Sequence, residues 1–255
     1  MSEVVEEQDK IEAFAAQIER SDLFSIVIEG KDDLLVYTEF EQIYEDHEPM
    51  VDVLPVHGRN TVLGIFNRLK ATPHLQRTIF IVDKDQWVIK GIDSNYIHDR
   101  IICTHGYSFE NDIFIDGNLE NDMKTKNAVV FNEELPTVLH WYALEMDRIL
   151  NGNLPLNLSM HIENLFNQAD IHTAPQAGET FPTAVLARLQ TEYPQLLRGK
   201  TLLQFYKRVM NKRDGFDKRD GYGTNAIIES VCKHKGSCLS QIFQKVDNLV
   251  KTPQV

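Results

Sequence analysis

Short, dense apolar runs alternate with stretches in which apolar positions recur every three or four residues. Residues 9–20 (DKIEAFAAQIER) carry the helical spacing. Residues 24–29 (FSIVIE) form an apolar, β-branched run that stops at Gly30. That run is too short for a helix and predicts a buried strand. Asp32 precedes LLVYTEFEQIY, which predicts a helix capped by that aspartate. The same alternation follows. Residues 50–56 (MVDVLPV) predict a second strand, and Asn60 stands as the cap of a helix TVLGIFNRLK. Residues 78–82 (TIFIV) predict a third strand, ending in Asp83-Lys84-Asp85, and residues 100–103 (RIIC) a fourth, leading into THGYSFEND. Strands alternating with helices at this spacing predict β-α-β units and a parallel sheet flanked by helices. Near-continuous Val/Ile runs belong to strands covered on both faces.

From about residue 117 the pattern becomes helical. FNEELPTVLHWYALEMDRIL predicts a helix, with Pro136 as the point of interruption. Helical spacing recurs at 156–169, 180–192, 198–212, 224–234 and 238–251. The expected organisation is an N-terminal helix (1–21), an α/β domain (22–116) and a mostly helical C-terminal region (117–255). The polar stretch 117–127 is the expected boundary.

Composition narrows the class. Of 255 residues, 42% are hydrophobic and 25% charged, which excludes collagen-like, disordered and disulfide-scaffold chains. No apolar run approaches the ~18 residues of a membrane helix, and the acidic start MSEVVEEQDK lacks the apolar core of a secretory signal. With three cysteines, an odd number, the expectation is a cytoplasmic protein with reduced thiols and no membrane contact. The net charge of −12 argues against non-specific coating of nucleic acid. That total hides an asymmetry: residues 1–184 hold 13 Lys/Arg against 32 Asp/Glu, and residues 185–255 hold 13 against 6.

Parallel sheets bind ligands beyond the carboxyl ends of their strands. Here the first strand ends in Glu29, the third in Asp83-Lys84-Asp85, and the fourth is followed by Glu110 and Asp112. If the chain stays extended, Asp83 and Asp85 share one side and Lys84 the other. Crowded carboxylates repel unless a cation neutralises them, and an all-oxygen set suits Mg²⁺ or Mn²⁺. Simpler roles compete. Asp33 serves equally as a first-turn residue, Asp83 and Asp85 as turn residues, and Glu110 as part of a helix start. Glu29, at the end of an apolar strand before a glycine, has the weakest structural excuse.

Val27-Ile28-Glu29-Gly30-Lys31-Asp32-Asp33, followed by Ile81-Val82-Asp83-Lys84-Asp85, resembles the paired Glu-Gly and Asp-x-Asp signature of Toprim domains over roughly residues 22–116. Tyr107-Ser108-Phe109-Glu110-Asn111-Asp112 is similar to the Tyr-Ser-x-Glu-Asn element of a branch near the OLD-family nucleases. Arg198-Gly199-Lys200-Thr201-Leu202-Leu203 is similar to a late element of that branch. The branch includes the Toprim effector (toxin) subunits of PARIS anti-phage systems, which work with an ABC-type ATPase. The resemblance implies a Rossmann-like Toprim fold and a Mg²⁺- or Mn²⁺-dependent endonuclease. Glu29 would be a metal ligand or general acid/base. Asp33, Asp83, Asp85 and Glu110 would be metal ligands, and Lys200 a cation near the scissile phosphate. It further implies an RNA substrate, such as tRNA, release or activation by the ATPase partner, and a homodimer as the active form.

The segment 198–219 concentrates Arg198, Lys200, Lys207, Arg208, Lys212, Arg213, Lys218 and Arg219, opposed by Asp214 and Asp217, with Phe205, Tyr206, Phe216 and Tyr222 interleaved. Cations for phosphates and aromatics for bases make up a single-strand or RNA surface. The competing reading is a helix with Leu202, Leu203, Tyr206 and Val209 in the core. Gly199-Lys200-Thr201 is no P-loop, because Pro194 stands where the upstream glycine is required. Cys232, His234 and Cys238 are too irregularly spaced for a convincing zinc site. His57 reads as a turn histidine. Two other functional readings remain: a non-catalytic Toprim-like interaction module, and a housekeeping RNA-processing nuclease.

Overall fold

The computed structural model describes residues 2–48, 50–152, 157–213, 216–217 and 223–251. In chain order the elements are α1 (Ser2–Arg20), β1 (Phe24–Ile28), α2 (Leu34–Tyr37), α3 (Glu39–Ile43), β2 (Val51–Pro55), α4 (Arg59–Leu69), β3 (Thr78–Val82), α5 (Trp87–Lys90) and β4 (Ile101–Cys103). There follow α6 (Phe109–Asp116), α7 (Leu119–Asn151), α8 (Ile162–Asn167), α9 (Ala169–His172), α10 (Thr183–Leu196), α11 (Gly199–Asn211), β5 (Lys212–Arg213), β6 (Phe216–Asp217), α12 (Thr224–Cys232) and α13 (Ser237–Lys251). The chain divides into two compact units. Unit 1 comprises Met1–Asp83, Ile92–Thr104 and Ser237–Val255; unit 2 comprises Lys84–Gly91 and His105–Gly236.

Unit 1 holds a four-stranded, all-parallel sheet of order β2-β1-β3-β4. Phe24, Ile26, Val27 and Ile28 are solvent-inaccessible, as expected for a central strand covered on both faces. Each such side chain contributes about 1.5–3 kcal/mol of burial. Helix α1 packs on α4. Gly64 permits the approach, since a Cβ there would stand 2.3 Å from Ile11 Cδ1. Arg68 bonds Glu12 and Glu19, each at 3.1 Å. Helix α13 returns to this unit, where Phe243 stacks on Phe40 at 4.2 Å and Asp247 accepts the Tyr44 hydroxyl at 2.7 Å.

Strand β2 is an edge. The Val56 N–H donates inward to Ile28 O, so the N–H of Val53 points outward. Glu41 Oε1 accepts it at 2.9 Å, and Pro55, on the same side, has no N–H.

Unit 2 is built round α7, 33 residues long. Its bend lies at Asn127 (φ −152°, ψ 58°), while Pro136 remains inside the helix. Asn127 Nδ2 donates to Val209 O at 2.9 Å and also to Lys212 O, so the bend is secured by a side chain. Helices α10 and α11 pack against α7 and α6. Arg148 joins Glu145 at 2.6 Å and holds Glu179 through two bonds of 2.8 Å. The second Glu145 oxygen accepts the Asn157 N–H at 2.7 Å. No helix among the described residues is long and apolar enough to cross a membrane.

The four strands lie where the sequence predicts them, and the alternation with helices produces the expected parallel sheet followed by a helical region. Local details differ. Two short helices, α2 and α3, replace one continuous helix, and Asp33, not Asp32, occupies the N-cap position of α2. Gly58, not Asn60, precedes α4 in its N-cap position. The bend of α7 falls at Asn127 and not at Pro136. Within the polar stretch 117–127, α6 ends with Gly117 as its C-cap and α7 begins at Leu119.

Candidate functional site

In unit 1, β1 and β3 are adjacent, and Ser25↔Thr78 through Val27↔Phe80 sets their register. That register brings Glu29 and Asp83 to the same carboxyl edge. Glu29 Oε1 accepts the Asp83 N–H at 2.8 Å, and the Glu29 carbonyl accepts the Gly58 N–H at 2.7 Å. Glu29 is thereby fixed by its side chain and its backbone. The turn that supplies Gly58 is left-handed at His57 (φ 64°), with Gly58 at φ 118°. A glycine suits the second position, which an L side chain rarely adopts. Asp33 makes no capping bond to α2. Its Oδ2 instead reaches back to accept the Gly30 N–H at 2.9 Å, closing the turn after Glu29. Asp33 is buried, whereas Glu29 and Asp83 are partly exposed.

The side-chain donors at this strand edge are carboxylate oxygens, the chemistry of a hard cation. Among the described residues, no group of three or more His, Cys, Asp or Glu side chains is arranged to hold a metal ion. Mg²⁺ commonly takes one or two carboxylates and completes its shell with water and substrate phosphate. The Glu29–Asp83 pair fits that smaller requirement.

In unit 2 the chain does not stay extended past Asp83: Asp85 is left-handed (φ 47°) and donates its N–H to Tyr107 O at 2.7 Å. Lys84 Nζ donates to His105 O at 2.8 Å. The Asp112 carboxylate accepts the N–H groups of His105 and Gly106, each at 2.9 Å. Burial pushes the Asp112 carboxyl up to about 6 against those two bonds.

The segment Tyr107–Asn111 meets a segment some ninety residues later. Tyr107 donates its N–H to Gln195 O at 2.8 Å. Ser108 caps α6 in a capping box closed by Asn111. Asn111 Nδ2 donates to Pro194 O at 2.8 Å and Leu197 O at 2.9 Å, and its Oδ1 accepts the Ser108 N–H at 3.0 Å. Glu110 is 5% exposed, and its Oε2 accepts the Ser108 hydroxyl at 2.5 Å. Burial raises the Glu110 carboxyl above its ordinary range, opposed by the Ser108 bond and by the charges of Lys200 and Arg198. Gly199 admits no side chain: a Cβ would stand 2.2 Å from Ser108 Oγ and 2.8 Å from Asn111 Oδ1. The start of α11, with Lys200 exposed, is thus packed on the start of α6.

Unit 1 therefore carries Glu29, Asp33 and Asp83, and unit 2 carries Asp85, Glu110 and Lys200. The structure brings Glu110 near Lys200 and Arg198 despite their distance in sequence. The roles of Asn111 and Gly199 in that junction could not be read from the sequence. Their one signal was membership in the two quoted motifs.

The basic segment is different in detail. Arg208 is paired with Glu134 at 2.8 Å and with Glu163, and lies 4.0 Å over the Phe166 ring. Lys212 bonds Glu134 at 2.6 Å, and Lys207 reaches Thr224 Oγ1 at 3.4 Å. Phe205 and Tyr206 are buried in the core of α11, so neither offers a face to a base. The reading of a core helix holds for them. Lys218, Arg219, Asp214 and Tyr222 lie outside the described residues, as do the side chains of Arg213, Phe216 and Asp217. No protein-family model matches the chain, and no curated protein matches it.

Proposed function

We propose that the protein is a metal-dependent phosphodiesterase, an endonuclease acting on RNA, and that it resembles Toprim nucleases in mechanism. The observation that supports this most is the pairing of Glu29 with the Asp83 N–H at the carboxyl edge of the two central strands. Glu29 is partly buried there, and its position is set by three separate bonds in and beside its turn.

In this reading Glu29 and Asp83 would hold Mg²⁺ or Mn²⁺, with Asp33 fixing the Glu29 turn. Bound there, such an ion supplies Lewis-acid polarisation of a phosphoryl oxygen and a more acidic water. Glu29 orients the attacking water and takes its proton at a carboxylate oxygen. By the resemblance alone, Lys200 would oppose the charge that builds on the phosphate, a contribution of about 10²–10³ in rate for one well-placed donor. By its resemblance to anti-phage Toprim effectors, the protein would be a toxic effector governed by an ABC-type ATPase. A second reading, an interaction module without catalysis, draws on the structural work that Glu29, Asp33 and Glu110 already do.

The test is inducible expression of wild type and Glu29→Gln, followed by denaturing gels of total RNA and DNA, with and without the ATPase partner. Glutamine keeps an oxygen for the Asp83 N–H and removes the charge, so the fold should persist. Discrete RNA fragments from the wild type alone are expected. Equal cleavage by both proteins removes Glu29 from the chemistry. Intact nucleic acid after partner-triggered release in Mn²⁺ favours the interaction module.

A further inference from the structure

We infer that Asn111 is a positioning residue for Lys200, acting through the backbone that carries it. This rests on the nuclease reading for its functional half and on unit 2 alone for its structural half.

Asn111 is solvent-inaccessible, and both its amide nitrogen and its oxygen are hydrogen-bonded. An amide has two N–H donors and one oxygen with two lone pairs. Both donors are spent on carbonyls, Pro194 O and Leu197 O, in the last turn and exit of α10. The oxygen accepts the Ser108 N–H. One side chain thus joins the first turn of α6, where Glu110 sits, to Pro194 and Leu197, just ahead of Arg198-Gly199-Lys200. Two glycines make room for it. A Cβ at Gly106 would lie 2.5 Å from Asn111 Cβ, and one at Gly199 would lie 2.8 Å from Asn111 Oδ1. A residue needed only to cap α6 would require the Ser108 bonds alone. The two bonds to 194–197 have no capping purpose. They fix where α11 begins and so where Lys200 stands in its first turn.

Asn111→Asp removes both donors and adds a buried charge, and Asn111→Ala removes them without the charge. The carboxylate keeps acceptors for Ser108 and places an oxygen against the Pro194 and Leu197 carbonyls. Lys200→Ala is expected to lower cleavage about 10²-fold. Asn111→Asp is expected to lower it by a similar factor, and the double variant by no more than Lys200→Ala alone. Hydrogen exchange of the amides at 195–202 should quicken in Asn111→Asp and in Asn111→Ala, the second variant serving if the first folds poorly. Additive losses in the double variant would overturn the link to Lys200. Unchanged exchange in both variants would overturn the clasp itself. A wild type that cleaves nothing overturns the nuclease reading instead, and the exchange measurement then decides the clasp separately.

Discussion

Gly199→Ala puts a number on the junction between α6 and α11. The added methyl would stand 2.2 Å from Ser108 Oγ, 2.8 Å from Asn111 Oδ1 and 2.8 Å from Glu110 Cβ. The hydroxyl is the nearest atom and the one with least room to move, because it donates to Glu110 Oε2 at 2.5 Å. Displacing it leaves a buried carboxyl without that donor, at a cost of about 1–3 kcal/mol. Crowding of the neighbouring atoms adds about 1–3 kcal/mol. Alanine is the better helix former by at most about 1 kcal/mol, which opposes the loss without matching it. A net loss of about 1–6 kcal/mol lowers the melting temperature by about 2–24 °C for a chain of this size. The assay is thermal unfolding followed by far-ultraviolet circular dichroism, with urea unfolding as a second measure. Ser108→Ala in the same chain removes the nearest atom and should recover part of the loss. A Gly199→Ala protein that melts at or above the wild type would refute the packing of the two helix starts.

Three other outcomes can be checked. Arg148→Met strands Glu145, which is buried with Arg148 as its charged partner, and should cost about 3–5 kcal/mol, read as a lower urea midpoint. The Arg148 bonds hold the Glu179 carboxyl down to about 2 from an ordinary 4.5. The stabilisation from that pair is therefore complete above pH 4.5 and lost as pH falls towards 2, and Glu179→Gln should flatten this part of an acid titration of stability. Burial, then the charge of Glu41, raises the Asp52 carboxyl above its ordinary 3.8. The folded state thus protonates before the unfolded one, and Asp52 costs stability as pH rises. Asp52→Asn should melt higher than the wild type at pH 7 and lose that advantage at pH 3.

The strands were legible because their apolar runs are short and β-branched, and those of β1 and β3 stop at Glu29-Gly30 and Asp83. Glu29 and Asp83 were legible as strand-end carboxylates for the same reason. Cap positions were less legible, because Asp33 spends its carboxylate on Gly30 and leaves the helix to begin without it. The course of the chain after Asp83 was misjudged. An alternating pattern presumes extended backbone, and Asp85 is left-handed. The bend of α7 escaped detection because its cause is not proline but an Asn127 amide bonded to Val209, which lies 82 residues along. The junction of Ser108, Asn111 and Gly199 was hidden for a similar reason, since its partners are backbone carbonyls at 194–197, and carbonyls carry no sequence signature. In the segment 198–219, the crowding of like charge concealed the acidic residues Glu134 and Glu163 that answer Arg208 from other helices.

The treatment of β2 bears on how the protein keeps its own company. A parallel sheet ending in an open strand invites a passing chain to dock as one more strand. Here the outward amide of Val53 is already engaged by Glu41, and Pro55 has no amide to offer. A peptide arriving at this edge would find one bond occupied and the next impossible, with the Asp52 and Glu41 charges beside it. Growth of the sheet by strand addition is therefore disfavoured on the β2 side. Any second copy or partner that approaches unit 1 from there must recognise side chains, a more selective encounter than the backbone pairing that drives aggregation.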